Sequence, residues 1–210
     1  MVAVGVQPFE IDANLRSLRV RYPDSHFLRI FISSSNRRSR ESFVRQWLTE
    51  GEPFAFRDCP AIFEELRGWL GSRLDINPKQ ITLLGSARIG YSLAPTPKYG
   101  TPFSSESDLD LAIVSSTWFL QITDEFRAFE SDYSSNSIAP RNENERACWD
   151  ANIGFGRRNL RAGFFDVNKI PYWDRYGVAQ RTGQTMWLLC QKLGATNDAP
   201  RPKRASLRVY

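Results

Sequence analysis

Asp108 and Asp110 lie two residues apart at the start of an apolar run, Leu109-Asp110-Leu111-Ala112-Ile113-Val114. Side chains alternate along a β-strand, so a strand here turns both carboxylates to one face, roughly 7 Å apart at Cα. Left alone, the two charges repel and one pKa rises. A divalent cation removes that penalty, and carboxylate oxygens are hard ligands suited to Mg²⁺ or Mn²⁺. Two such ions about 4 Å apart can activate an attacking oxygen and steady a leaving one in phosphoryl chemistry.

A second feature stands upstream. Ile81-Thr82-Leu83-Leu84 is a short strand-like run that ends in Gly85-Ser86. Glycine permits tight backbone approach, and a helix starting there offers free N–H groups that the Ser86 hydroxyl can join. The spacing predicts a phosphate cradle beside a carboxylate pair. Gly-Ser turns and Asp-x-Asp triplets are common singly, and it is their order and strand context that is specific. Asp108 and Asp110 also read as a solvated strand start, and Ser86 as a plain N-cap.

The surrounding elements are those of an α+β protein with a short mixed β-sheet flanked by helices. Phe27–Ile32 reads as a strand and Ser33–Arg40 as a polar, basic loop. Helices are expected over 41–50, with Phe43, Val44 and Trp47 on one face, and after Pro60, with Ile62, Phe63, Leu66, Trp69 and Leu70 as its stripe. A short helix follows from about Ala87. Residues 94–107 are dense in Pro, Gly and Ser and read as a loop. Further helices are expected over 123–130, 142–152 and 185–193, with a strand at 163–168. Residues 1–55 form an N-terminal extension of unclear fold, 56–195 the main domain, and 196–210, with Pro200, Pro202 and basic residues, a flexible tail.

Composition excludes several classes. The 210 residues are 41% hydrophobic and 24% charged, which suits a folded globular chain. No apolar run approaches the ~18 residues of a membrane span, and Met1–Val6 lacks the basic start of a signal peptide. Cys59, Cys148 and Cys190 are far apart, with no CxxC pair, so a reducing cytoplasm is expected and a structural zinc site is not. The single histidine, His26, makes a Ser-His-Asp triad or an HExxH site improbable. The net charge of +5 rests on 23 Arg and 5 Lys, so an anionic partner competes with plain codon bias as the explanation.

Leu84-Gly85-Ser86 followed by Ser107-Asp108-Leu109-Asp110-Leu111 resembles the signature of the DNA polymerase beta-like nucleotidyltransferase superfamily. Gly90, five residues after Gly85, matches the Gly-Ser-x-x-x-Gly form of its small bacterial members. The resemblance covers about residues 60–170 and leaves 1–55 unplaced. The family carries a third carboxylate on a later strand; Phe165-Asp166-Val167 is the best local match, with Asp150 and Asp174 as rivals. One departure is the 21-residue spacer between Ser86 and Asp108, whose surplus is the Pro-rich loop and which suggests a lid or a substrate-reading insertion.

The resemblance implies a nucleotidyltransferase-like fold in which Asp108, Asp110 and Asp166 hold Mg²⁺ or Mn²⁺. Gly85 and Ser86 would bind the triphosphate, and Asp166 would help deprotonate the acceptor. Arg88 and Lys98 are candidate triphosphate contacts, or ordinary surface charges. The implied reaction is attack of a hydroxyl, on RNA (tRNA included) or on a protein, at the α-phosphorus of a nucleoside triphosphate, in a toxin–antitoxin or phage-defence setting. A second protein chain that completes the acceptor site is a further implied partner. The alternative is a non-catalytic module of the same fold that docks a partner through residues 1–55. Arg141, Arg146, Arg157, Arg158 and Arg161 read as nucleic-acid contacts or as scattered helix charges, and Tyr172 and Trp173 as core residues or base-flanking rings.

Overall fold

A run such as Phe27–Ile32 is short and apolar except for Arg29, so periodicity alone does not separate strand from helix; its neighbours decide. In a computed structural model that describes residues 13–17 and 21–210, Asp24 caps this segment by accepting a hydrogen bond from the Phe27 amide at 2.8 Å. The segment is therefore helix α2 (Ser25–Ser34), preceded by the short α1 (Ala13–Ser17), and the expected strand is corrected. Leu28 and Phe31, three apart, face inward, while Ile30 and Ile32 stay exposed. The expected loop is also overturned in part. Asn36 caps α3 (Arg37–Phe43) through the Ser39 amide, and the chain continues as a π-helical turn over Val44–Thr49. Met1–Val6 and the rest of 1–12 lie outside the described residues.

The helix expected after Pro60 is α4 (Pro60–Leu74), with Pro60 in its first turn and Phe63, Leu66, Leu70 and Leu74 buried. It leads into β1 (Ile81–Leu83), the five-residue α5 (Gly85–Ile89) and, past the irregular Pro-rich segment, β2 (Leu109–Ile113). Three later helices outrun their expected bounds: α6 (Ser116–Ser134), α7 (Glu143–Arg161) and α8 (Gly177–Ala195). Side-chain caps explain two of the starts, since Ser115 caps α6 and Asn142 caps α7. The start of α8 is capped from a distance: the Glu125 carboxylate on α6 accepts from the Val178 and Ala179 amides at 2.7 and 2.9 Å. The expected strand at 163–168 shrinks to β3 (Phe165–Asp166), followed by a 3-10 turn over Val167–Lys169.

The largest correction concerns the expected flexible tail. Residues Ala205–Val209 form β4, an interior strand of a four-stranded sheet of order β1-β2-β4-β3. β4 pairs in parallel with β2, Asp110 opposite Ser206 and Ala112 opposite Arg208. It pairs antiparallel with β3, Asp166 opposite Arg208. β1 runs antiparallel to β2 on the other side. The architecture is α+β with a small mixed sheet.

Alternation sorts the two sheet faces. Leu109, Leu111, Ile113, Phe165, Leu207 and Val209 are buried in the main core, together with residues of α4, α6 and α8. Asp110, Ser206, Arg208 and Asp166 occupy the opposite face. A smaller core, Leu28, Phe31, Phe43, Trp47, Ile89 and Tyr91, fastens the described part of the N-terminal extension to α5. Among the described residues no helix is long and apolar enough to cross a membrane.

Candidate active site

The bend after β1 and the carboxylates of β2 meet because β1 and β2 are hydrogen-bonded neighbours. The Leu84 amide donates to the Asp110 carbonyl at 2.8 Å, which holds the bend beside Asp110. Gly85 has φ +63°, in the left-handed region, and a Cβ there would stand 3.1 Å from Asp110 Oδ2. The backbone therefore favours glycine, and a methyl group there would press the carboxylate aside by a few tenths of an ångström. Gly90, at φ +97°, closes α5 where a Cβ would lie 2.8 Å from the Phe54 ring. The two glycines of the Gly-Ser-x-x-x-Gly spacing thus face different constraints, one a carboxylate and the other the packing of residues 54–56.

Asp110 keeps a side-chain exposure of 29%. Its Oδ1 accepts from Ser206 Oγ at 2.8 Å and lies 3.8 Å from an Arg208 guanidinium nitrogen. Asp108 sits just ahead of β2, 30% exposed, and accepts from Arg204 Nε at 2.8 Å. That hydrogen bond is the main reason the Arg204 pKa is raised; the guanidinium itself is largely exposed. An ion pair so open to solvent contributes little to stability.

Asp166 is placed on β3, opposite Arg208, with β4 between it and Asp110. Its Oδ1 is buried with no hydrogen-bond partner among the described residues. Burial raises its pKa above the ordinary carboxyl value; Lys169 and Arg208 pull the other way, and Asp110 adds a smaller upward push. Arg204 and Arg208 pair with Asp108 and Asp110, whereas Asp166 has no ion pair within 4 Å among the described residues and is influenced by Lys169 and Arg208 only from farther away.

Arg88 is not near these groups as a phosphate contact. It is 2% exposed, and its guanidinium donates to the carbonyls of Trp47 at 3.1 Å and Gly51 at 2.9 Å. Burial lowers its pKa. Its role is to tie α5 to the helical N-terminal part, which corrects the expectation of a triphosphate contact. Lys98 is exposed within the Pro-rich segment, where its backbone closes a turn with Pro95 and Thr101. Ser86 is half-buried at the bend. Asp150 accepts from Tyr133 and Asp174 from Gln180, so neither rival for the third carboxylate lies on the sheet.

The residues that sequence reasoning missed are Arg204, Ser206 and Arg208. Their signal was present: Ala205-Ser206-Leu207-Arg208-Val209 alternates apolar and polar, which is the pattern of a half-buried strand. Pro200, Pro202 and the basic residues around them give the preceding stretch the composition of a loose tail.

The donor chemistry near the bend is all oxygen, and Asp166 carries an orphaned buried carboxylate oxygen. Both suit a hard divalent cation. Among the described residues, however, no group of three His, Cys, Asp or Glu side chains is gathered closely enough to hold a metal. Asp108, Asp110 and Asp166 therefore do not form the single cluster expected for them, because β4 separates the third from the first two. An ion here would take one or two protein carboxylates and fill its shell with water or phosphate oxygens, a normal arrangement for Mg²⁺. Comparison with protein-family models, curated proteins and solved structures finds no match to the chain.

Proposed function

We propose that the protein is a Mg²⁺-dependent nucleotidyltransferase with a nucleotidyltransferase-like fold. The observation that carries this reading is the approach of the Gly85-Ser86 bend to Asp110, where a Cβ at Gly85 would stand 3.1 Å from Asp110 Oδ2. A backbone bend next to an acidic face suits a substrate that is itself anionic and carries a cation.

The Ser86 hydroxyl and the amides of the bend bind the polyphosphate. Asp110, oriented by Ser206, and Asp108 hold the cation. When bound, Mg²⁺ neutralises charge on the phosphates and on the attacking oxygen. Asp166, with its raised pKa, accepts the proton of the acceptor hydroxyl. The acceptor oxygen forms a bond to the α-phosphorus while the bond to the bridging α–β oxygen breaks, and pyrophosphate leaves. Arg208, between Asp110 and Asp166, and Arg204 are positioned to offset negative charge as it moves.

The test is incubation of wild type and Asp110→Asn with labelled nucleoside triphosphates, Mg²⁺ and cell lysate. Transfer of label by the wild type, reduced at least a hundredfold in the variant, is expected; equal labelling removes the assignment.

A second reading has its own support. Arg204 already compensates Asp108, and no three-carboxylate group is assembled among the described residues. Both suit a non-catalytic module that binds a partner, with residues 1–55 as the docking part. Calorimetry with ATP separates the two, since such a module shows no Mg²⁺-dependent nucleotide affinity.

A further inference from the structure

Beyond β3 the chain passes through the 167–169 turn and runs along one face of α7. Between them lies an open cleft of about 400 Å³, lined by Arg141 just before the helix, by Cys148 and Asn152 from the helix and by Asn168, Pro171 and Tyr172 from the returning segment. Glu145 also reaches this cleft, but its carboxylate accepts the Arg141 amide at the start of the helix. Positions 148, 152 and 155 follow helical spacing on one face of α7, so Phe155 lies one turn beyond the lining of the cleft. There an exposed ring is flanked by two cations: Arg158 Cζ lies 4.8 Å and Lys169 Nζ 5.4 Å from its centroid.

Two features of this furrow bear on a ligand. The first is charge. Arg146, Arg157 and Arg175 are paired with Glu143, Glu130 and Asp132. Arg141, Arg158 and Lys169 have no carboxylate of the described residues within 4 Å. The second is aromatic exposure. Phe155 is 45% and Tyr172 50% exposed. Tyr172 lays its inner face on α8, where a Cβ at Gly183 would stand 2.7 Å from the ring, and leaves its other face to the cleft. Its phenol pKa is raised by burial first and by the Asp166 charge second.

We propose that this furrow binds the acceptor, and that the acceptor is single-stranded RNA. Exposed rings interleaved with free cations match a strand whose bases stack and whose phosphates need neutralising. Amide side chains at Asn152 and Asn168 add donors and acceptors for base edges. Unstacked, splayed bases of this kind are characteristic of RNA ends and loops. The segment that carries Asn168 and Tyr172 starts at Asp166, so a bound strand lies next to the carboxylate assigned to its hydroxyl. The proposal deepens the nucleotidyl-transfer reading and rests on it for the word acceptor.

The experiment is fluorescence anisotropy of a labelled single-stranded RNA dodecamer with the full chain, without nucleotide, over a salt series. Phe155→Ala and Tyr172→Ala should each weaken binding roughly five- to a hundredfold. Tyr172→Phe, which keeps the ring, should bind like wild type. Arg158→Gln should reduce the slope of log affinity against log salt by about 0.7. A thermal melt of each variant checks folding, and exposed Phe155 keeps the test valid if Tyr172→Ala unfolds. Unchanged binding in Phe155→Ala overturns the proposal. So does equal affinity for DNA of the same sequence, or equal competition by an acidic peptide. Asp110→Asn should bind RNA like wild type. Loss of labelling with binding intact, or loss of binding with labelling of another acceptor intact, tells failure of one reading from failure of the other.

Discussion

Arg208 stands opposite Asp166 on the β3–β4 ladder and 3.8 Å from Asp110 Oδ1, so one guanidinium serves carboxylates on two different strands. It keeps two acids on one sheet face from repelling each other outright, yet it leaves Asp166 Oδ1 without a hydrogen bond. Burial of Asp166 raises its pKa, and the charges of Lys169 and Arg208 oppose that rise.

This gives Asp166 a defined pH signature. Its pKa is raised in the folded protein, so the native state holds the proton more tightly than the unfolded chain does. The stability this contributes is complete below the unfolded pKa, about 3.9, and is lost as pH rises through the folded value. Above the folded value the ionised carboxylate therefore costs stability. Asp166→Asn should melt higher than wild type at pH 7 and at the same temperature near pH 3.5, by calorimetry, while nucleotide transfer falls at least a hundredfold. A lower melting temperature for the variant at pH 7 contradicts the assignment.

Gly85→Ala tests the bend. A left-handed backbone at a non-glycine residue costs about 1–2 kcal/mol, and the new methyl meets Asp110 Oδ2 as well. Denaturant unfolding should show a loss of that size or more. In an Asp110→Ala background the contact is gone and only the backbone strain remains, so the loss should be smaller. Equal losses in the two backgrounds would show that Gly85 and Asp110 do not touch.

Leu207→Ala tests the assignment of β4. Leu207 is 2% exposed in the main core, opposite Leu111. A buried Leu→Ala substitution costs about 2–5 kcal/mol, whereas the same change in a loose tail stays within about 0.5 kcal/mol. Urea titration followed by tryptophan fluorescence distinguishes the two outcomes.

These experiments also mark how far the sequence could be read. α4, β1, the bend and β2 were legible because their signals are local: a proline at N1, a helical stripe, a glycine before a serine, and alternation from Asp108 onward. Phe27–Ile32 was misread because its outcome was set by the Asp24 cap and by burial of Leu28 and Phe31, not by composition. Arg88 was misread for a related reason. Nothing near it in the chain shows that its partners are the carbonyls of Trp47 and Gly51, about forty positions upstream. β4 and its three site residues depend on pairing across 96 residues, as between Ser206 and Asp110. The expected gathering of three aspartates failed at the same place, since a strand inserted between β2 and β3 sets the third apart.

Because a chain is made from its N-terminus, the central slot of this sheet is the last to be filled. Until residues 205–209 emerge, β2 presents a bare hydrogen-bonding edge and β3 has no ladder at all. The nascent chain thus carries an unpaired strand edge until β4 enters the sheet, and Asp110 acquires its Ser206 and Arg208 partners in that same step.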